Sequence, residues 1–194
     1  MHFIDISRTL QRAPKYPTAP ETVIDRVDRI ANGCDSNFSL MTTNTHAGTH
    51  ADAQCHFVDG GKGIGEMDLN LYFGPCRVIT FPEKTVLSKR DFEGKVEGTE
   101  RIVIHGGGFT YLDASAAQYL ADSGVRTVVT DAWSPAPLDN EKQIHRLLLL
   151  AGIAVVENVA LEGVPDGEYT LIAFPANYGE CDGSPVRAVL TKEL

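Results

Sequence analysis

A mixed α/β fold is what this sequence predicts, and three observations lead there. Short β-branched runs recur along the second half of the chain, at residues 101–105, 127–130 and 154–159. Two stretches between them, residues 114–123 and 140–151, read as helices stopped by Gly124 and Gly152. A length of 194 residues with 43% hydrophobic and 22% charged side chains suits a single globular domain over residues 1–194, with a real core rather than a disordered chain.

In chain order, residues 3–6 alternate like a short strand. Residues 13–20 hold three prolines, which forces an extended surface loop. Residues 38–45 are rich in Ser and Thr and alternate well enough for a strand entering the His46 region. Gly60-Gly61-Lys62-Gly63 then breaks the chain into a loop, and residues 76–81 and 101–105 read as buried strands. After the helix at 114–123 comes the strand at 127–130, then the helix at 140–151 with Asn140 in N-cap position. The strand at 154–159, a turn at Val164-Pro165-Asp166-Gly167 and strands at 169–176 and 186–190 complete the chain. Roughly eight strands and two to four helices make a mixed sheet.

Charge narrows the functions. Lys and Arg number 17 against 26 Asp and Glu, a net charge of −9, which disfavours nucleic acid and anionic membrane as partners. The longest apolar run, residues 147–156, is too short to span a bilayer. The start, Met1-His2-Phe3-Ile4-Asp5, lacks the basic and apolar regions of a secretory signal, so a cytoplasmic chain is expected. Cys34, Cys55, Cys76 and Cys181 form no C-x-x-C pair and are expected to be reduced.

The chemistry concentrates in His46-Ala47-Gly48-Thr49-His50-Ala51-Asp52-Ala53-Gln54-Cys55-His56. Three imidazoles and a carboxylate at even positions would share one side of an extended chain. These donors suit Zn²⁺, with Mn²⁺ as the second choice. His50 and Asp52 can share an ion directly. His46 and His50 would lie about 13 Å apart in a straight strand, too far for bonds of about 2 Å, so the backbone must bend, and Gly48 is the residue able to do so. A strand running into a bend is therefore expected. Further along, His145 lies in the second helix, and Glu157 sits in the apolar run Ala154-Val155-Val156-Glu157-Asn158-Val159, where a carboxylate is costly unless paired or bound to metal. Together they offer a second set of ligands, enough for two divalent ions.

The pattern His46-x-Gly48-Thr49-His50-x-Asp52-x-x-x-His56 resembles the H-x-G-T-H-x-D-x-P-x-H signature of the cyclase-like metal hydrolases, whose best-known members are bacterial kynurenine formamidases, with isatin hydrolases as relatives. The resemblance runs nearly end to end through Tyr16-Pro17, Gly74-Pro75, the His145 and Glu157 pair, Leu171-Ile172-Ala173-Phe174-Pro175 and Ser184-Pro185-Val186-Arg187-Ala188-Val189-Leu190. It implies a swivelling β/β/α domain with a mixed central sheet, assembled as a homodimer or larger homo-oligomer. It also implies that His46, His50 and Asp52 hold one metal, that Asp52 bridges to a second metal taking His145, and that Glu157 bridges from the other side. His56 would be the acid/base residue, and Tyr16 would stand at a substrate-contacting tryptophan position. The sequence departs from the family pattern at Gln54, at Tyr16, at Asp131-Ala132-Trp133-Ser134-Pro135 and at His105-Gly106-Gly107-Gly108. The ligand set is intact and the pocket differs.

The expected reaction is hydrolysis of an aryl formamide, N-formyl-L-kynurenine to L-kynurenine and formate, with a metal-activated water and His56 as proton donor. Tyr16 and Trp133 would offer aromatic faces to a flat substrate. Opening of a cyclic amide or lactone at the same centre is the alternative within the enzyme class. A binding module without activity is the alternative outside it. The His105-Gly106-Gly107-Gly108 run looks like a lipase oxyanion loop, but the chain has no G-x-S-x-G elbow to serve it, so a plain loop is expected there.

Overall fold

The computed structural model describes residues 2–192 apart from Glu83. Among the described residues the strands are β1 (Ile4–Asp5), β2 (Val23–Asp28), β3 (Phe38–Thr42), β4 (His50–Asp52), β5 (Phe73–Thr80), β6 (Val86–Leu87), β7 (Arg101–His105), β8 (Tyr111–Leu112), β9 (Thr127–Thr130), β10 (Ala154–Glu157), β11 (Gly167–Ile172), β12 (Gly183–Pro185) and β13 (Val189–Thr191). The helices are α1 (Lys89–Phe92), α2 (Ala114–Asp122) and α3 (Glu141–Leu150). Nine strands form one sheet in the order β1-β13-β11-β5-β7-β9-β10-β4-β12, while β2 and β3 pair by themselves, as do β6 and β8. Mixed α/β is therefore the class observed.

The middle of the sheet shows why these runs are strands. β5, β7, β9 and β10 are mutually parallel, and one helix lies in each crossover between them. Strands covered on both faces need apolar side chains at consecutive positions. Ile102, Ile104, Val128 and Val155 point toward α1, α2 and α3, where they meet Phe92, Leu120, Ile144 and Leu148. Their neighbours Val103, Val129, Ala154 and Val156 point the other way, into a core closed by Tyr72, Tyr169, Leu171 and Leu190 as the sheet curls. At about 1.5–3 kcal/mol per fully buried aliphatic side chain, this double burial dominates the local stability.

The two long helices fall where expected. Asp113 caps α2 through a hydrogen bond from the Ala116 N–H at 2.8 Å. Asn140 occupies the N-cap of α3, but its side chain makes no capping bond. Several strand ends differ from the sequence reading. β10 stops at Glu157 because Asn158 adopts φ 62°. The last strand starts at Val189, later than residue 186, and Val186 makes only an isolated bridge to Pro175. β2 and β12 were not expected. Val23–Asp28 is exposed along almost its whole length and shows no clean alternation, and Gly183-Ser184-Pro185 reads as a turn. No helix among the described residues is long and apolar enough to cross a membrane.

Candidate metal centre

The centre forms where β4 enters the sheet between β10 and β12, at the carboxyl end of the parallel strands. The bend lies between two strands, β3 ending at Thr42 and β4 starting at His50. Gly48 has φ 67°, and a Cβ there would lie 2.9 Å from Leu10 Cδ2, so both conformation and space require glycine. Thr49 closes the bend, accepting the Arg8 N–H at 2.8 Å and donating its hydroxyl to the Asn158 carbonyl at 2.7 Å. β4 then presents His50 and Asp52 on one face, while Ala51 and Ala53 enter the core on the other. Register places His50 directly opposite Glu157. A 3-10 turn at Gln54–His56 swings His56 back toward His46. α3 brings His145 in from the helical layer.

All six residues converge. His50 Nε2 lies 2.9 Å from Glu157 Oε2 and 3.5 Å from Asp52 Oδ1. His145 Nε2 lies 3.1 Å from Glu157 Oε1 and 3.4 Å from Asp52 Oδ2. His46 Nδ1 lies 3.0 Å from Asp52 Oδ1. Two donor groups result, His46 with Asp52 and His56, and His50 with Asp52 and Glu157, the ligand atoms within each lying no more than 4.8 Å apart. Asp52 is common to both groups, and His145 adjoins the second. His56, expected beside the ligands, stands among the donors of the first.

The residues fit divalent cations. His50 Nδ1 faces the Gly48 carbonyl at 2.9 Å and His145 Nδ1 faces the Glu141 carbonyl at 2.9 Å. A carbonyl only accepts, so each Nδ1 carries the proton and each Nε2 turns a lone pair or a second proton inward. His50 Nε2 and Asp52 Oδ2 are buried without an aligned hydrogen-bond partner, although charged groups surround them. Burial pulls the His145 pKa down, but Asp52 and Glu157 prevail and hold it at about 10. Burial acts likewise on His46, where Asp52 prevails and raises it to about 9. Asp52 is pushed up by burial, yet His145 and His46 bring it well below the usual carboxylate range. A donor set so eager for positive charge is one that metal can claim by displacing protons.

Above the centre lies a cavity of about 480 Å³. Tyr16 and Trp133 both line it and meet edge to face, with ring centroids 5.2 Å apart at 78°. The Tyr16 hydroxyl donates to Glu141 Oε2 at 3.0 Å. Phe57 stacks on the His145 ring at 4.3 Å and meets His56 at 4.4 Å.

The departures from the family pattern have structural partners. Gln54 links two segments, its amide Nε2 donating to the Leu149 carbonyl at 3.2 Å and its Oε1 accepting from the Lys62 N–H at 3.1 Å. The side chain thus ties the His56 turn to α3, where proline would have stiffened the backbone. The two other altered stretches meet each other, since Asp131 accepts the N–H groups of Gly106 and Gly107 at 3.1 and 2.9 Å. The glycine run is a loop after β7, as expected. Phe57, Glu141 and Asp182 escaped the sequence reading. Phe57 could have been suspected from its place after His56, whereas nothing local marks the other two.

Fold and donor set define a class, an α/β protein with a buried carboxylate–imidazole centre suited to metal at the carboxyl end of its parallel strands. The chain belongs to the Cyclase family, described as "Putative cyclase", which matches residues 4–137. It is 37% identical over 166 residues to the kynurenine formamidase of Bacillus cereus (strain ATCC 10987 / NRS 248), an alignment covering 79% of each chain. A solved structure described as a potential metal-dependent hydrolase with cyclase activity superposes with a TM-score of 0.85 at 25% identity, covering 97% of this chain and 96% of that one. An isatin hydrolase bound to the product analogue thioisatinate shares the fold, with a TM-score of 0.83 at 18% identity over 97% and 91% of the two chains.

Proposed function

We propose that this chain is a metal-dependent hydrolase of an aryl formamide, with N-formyl-L-kynurenine, cleaved to L-kynurenine and formate, as substrate. The observation that carries the reading is Asp52, buried and shared by two groups of imidazole and carboxylate donors beneath a cavity walled by Tyr16 and Trp133. Resemblance to the Bacillus enzyme supports the substrate. His46, His50, Asp52, His145 and Glu157 would hold two divalent ions, Zn²⁺ in first place and Mn²⁺ in second. Such ions, when bound, polarise a carbonyl and lower the pKa of water toward 7.

The remaining work falls to the chain. Tyr16 and Trp133 orient the aryl ring, and Phe57 holds the His145 ring in place. Water adds to the formyl carbon and gives up a proton to His56, the C–N bond breaks, and His56 passes that proton to the leaving aniline nitrogen, the formic acid released then ionising to formate. Burial lowers the His56 pKa while Asp52 opposes the shift, so the protonated ring gives up its proton more easily than a free imidazole does.

We further propose that the chain acts as one domain in the cytoplasm, where its free cysteines stay reduced. The β2–β3 ribbon, with Val23, Val27, Phe38 and Leu40 more than half exposed, is the surface that a homodimer or larger homo-oligomer would cover. Side-by-side turnover of N-formylkynurenine and isatin by zinc-loaded and manganese-loaded protein, with metals per chain counted by elemental analysis, tests the proposal. Turnover of isatin alone would move the substrate to cyclic amides, and metal binding with no turnover of either would reject the formamidase reading.

A further inference from the structure

Asp182 takes no part in the reaction as described, yet it borders the centre on the side away from α3. Its backbone is fixed by the sheet: the Asp182 carbonyl accepts the Ala53 N–H at 2.9 Å, one pair beyond the Asp52–Gly183 register of β4 and β12. Gly183 allows that close approach, because a Cβ there would lie 2.8 Å from His46 Cε1. On the side chain, Oδ1 accepts the Thr45 hydroxyl at 2.7 Å. That anchor leaves Oδ2 facing two imidazoles, 3.2 Å from His46 Nε2 and 3.6 Å from His56 Nδ1. The two rings are stacked, with centroids 4.0 Å apart and planes 29° from parallel.

His46 therefore stands between an inner carboxylate, Asp52 at Nδ1, and an outer one, Asp182 at Nε2. His46 Nε2 is buried and lacks an aligned partner, so a small rotation of the ring onto Asp182 satisfies it. His50 and His145 solve the same problem with the carbonyls of Gly48 and Glu141. We infer that Asp182 is a positioning residue for the His46–His56 pair: it takes the outer N–H of His46, which leaves Nδ1 as the inward donor, and it holds the Nδ1–H tautomer of His56, which leaves Nε2 for the proton of the leaving group. One carboxylate thereby orients a metal ligand and the acid/base residue together, a role whose loss costs 10–100-fold where outer partners of ligating histidines have been removed. The inference rests on the hydrolase reading of the site.

The test is Asp182→Asn in zinc-loaded protein with ¹⁵N-labelled histidine rings. The expected result is unchanged zinc per chain, a kcat for N-formylkynurenine about 10–100-fold lower at similar KM, and a His56 ring that passes from one tautomer to a mixture. Thr45→Val keeps the carboxylate and removes its anchor, so it should shift the same signals by less, and Asp182→Glu should restore part of the loss. Unchanged kcat with unchanged ring spectra would overturn the inference, and so would loss of a zinc equivalent with the His56 ring unchanged, which would make Asp182 a ligand instead. If wild-type protein hydrolysed neither formamide nor lactam, the hydrolase reading would fall while the ring spectra still decided the positioning role.

Discussion

His50 and His145 lie inside the molecule, each tied through Nδ1 to a main-chain carbonyl, whereas His46 and His56 stack at the cavity rim and are tied to none among the described residues. The side chain of His50 is 3% exposed, against 22% for His46 and 28% for His56. The contrast teaches how the centre divides its labour. Donors oriented by the main chain are fixed once the sheet and α3 have formed, so the inner half of the donor set is a property of the fold. His46 and His56, oriented by side chains such as Asp182, can be altered without moving a strand, so the outer ligand and the proton chemistry at the rim are open to adjustment.

Removing Asp52, the residue common to both sets, should erase the distinction altogether. Asp52→Ala is expected to lose at least one metal per chain and all turnover, read by elemental analysis and a formamide assay. Asp52→Asn keeps the shape and removes only the charge, so it should retain the fold with weakened metal binding. Full metal and normal turnover in the alanine variant would show that Asp52 is not shared.

The next largest effect should fall on the rim alone. His56→Ala is expected to keep its metal and to lose about 10²–10⁴-fold in kcat, the range for general acid–base catalysis. Loss of metal would instead place His56 with the ligands, as its presence in the first donor group allows.

Gly48→Ala probes the bend that joins the two sets. Forcing a side chain into φ 67° against Leu10 should cost about 1–2 kcal/mol, and in a chain of this size that lowers Tm by about 2–8 °C. An unchanged Tm, measured by differential scanning calorimetry, would mean that the bend tolerates L side chains.

The smallest change belongs to Tyr16→Ala. An aromatic contact from Tyr16 to the substrate ring would be worth about 0.5–1.5 kcal/mol, so kcat/KM for an aryl substrate should fall by roughly 2–10-fold with metal content intact. Equal values for variant and wild type on both N-formylkynurenine and isatin would take Tyr16 out of the substrate site.

Much of this was legible along the chain because the signals are local. The spacing of His46, His50, Asp52 and His56 announces a centre, and Glu157 in an apolar strand announces a buried partner. The apolar runs that became β7 and β9 carry their burial in their own composition. What stayed hidden depends on pairing between distant segments. Gly183-Ser184-Pro185 looks like a turn, and only the ladder from residue 52 to residue 183 makes it a strand and brings Asp182 to His46. β2 has no buried face to leave a pattern. The bend at Gly48 is legible, but not that it joins two separate sheets, since nothing in the sequence shows that β3 pairs with β2 apart from the main sheet.

β4 is only three residues long and alternates histidine, alanine and aspartate, followed by Ala53. A slip of one residue against β10 would turn Ala51 and Ala53 toward the cavity and drive an imidazole and a carboxylate into the apolar core. The misaligned chain would have neither a place for a cation nor a tolerable interior. A bound cation would lock only the correctly threaded strand, so metal supplied during refolding should raise the yield of native protein.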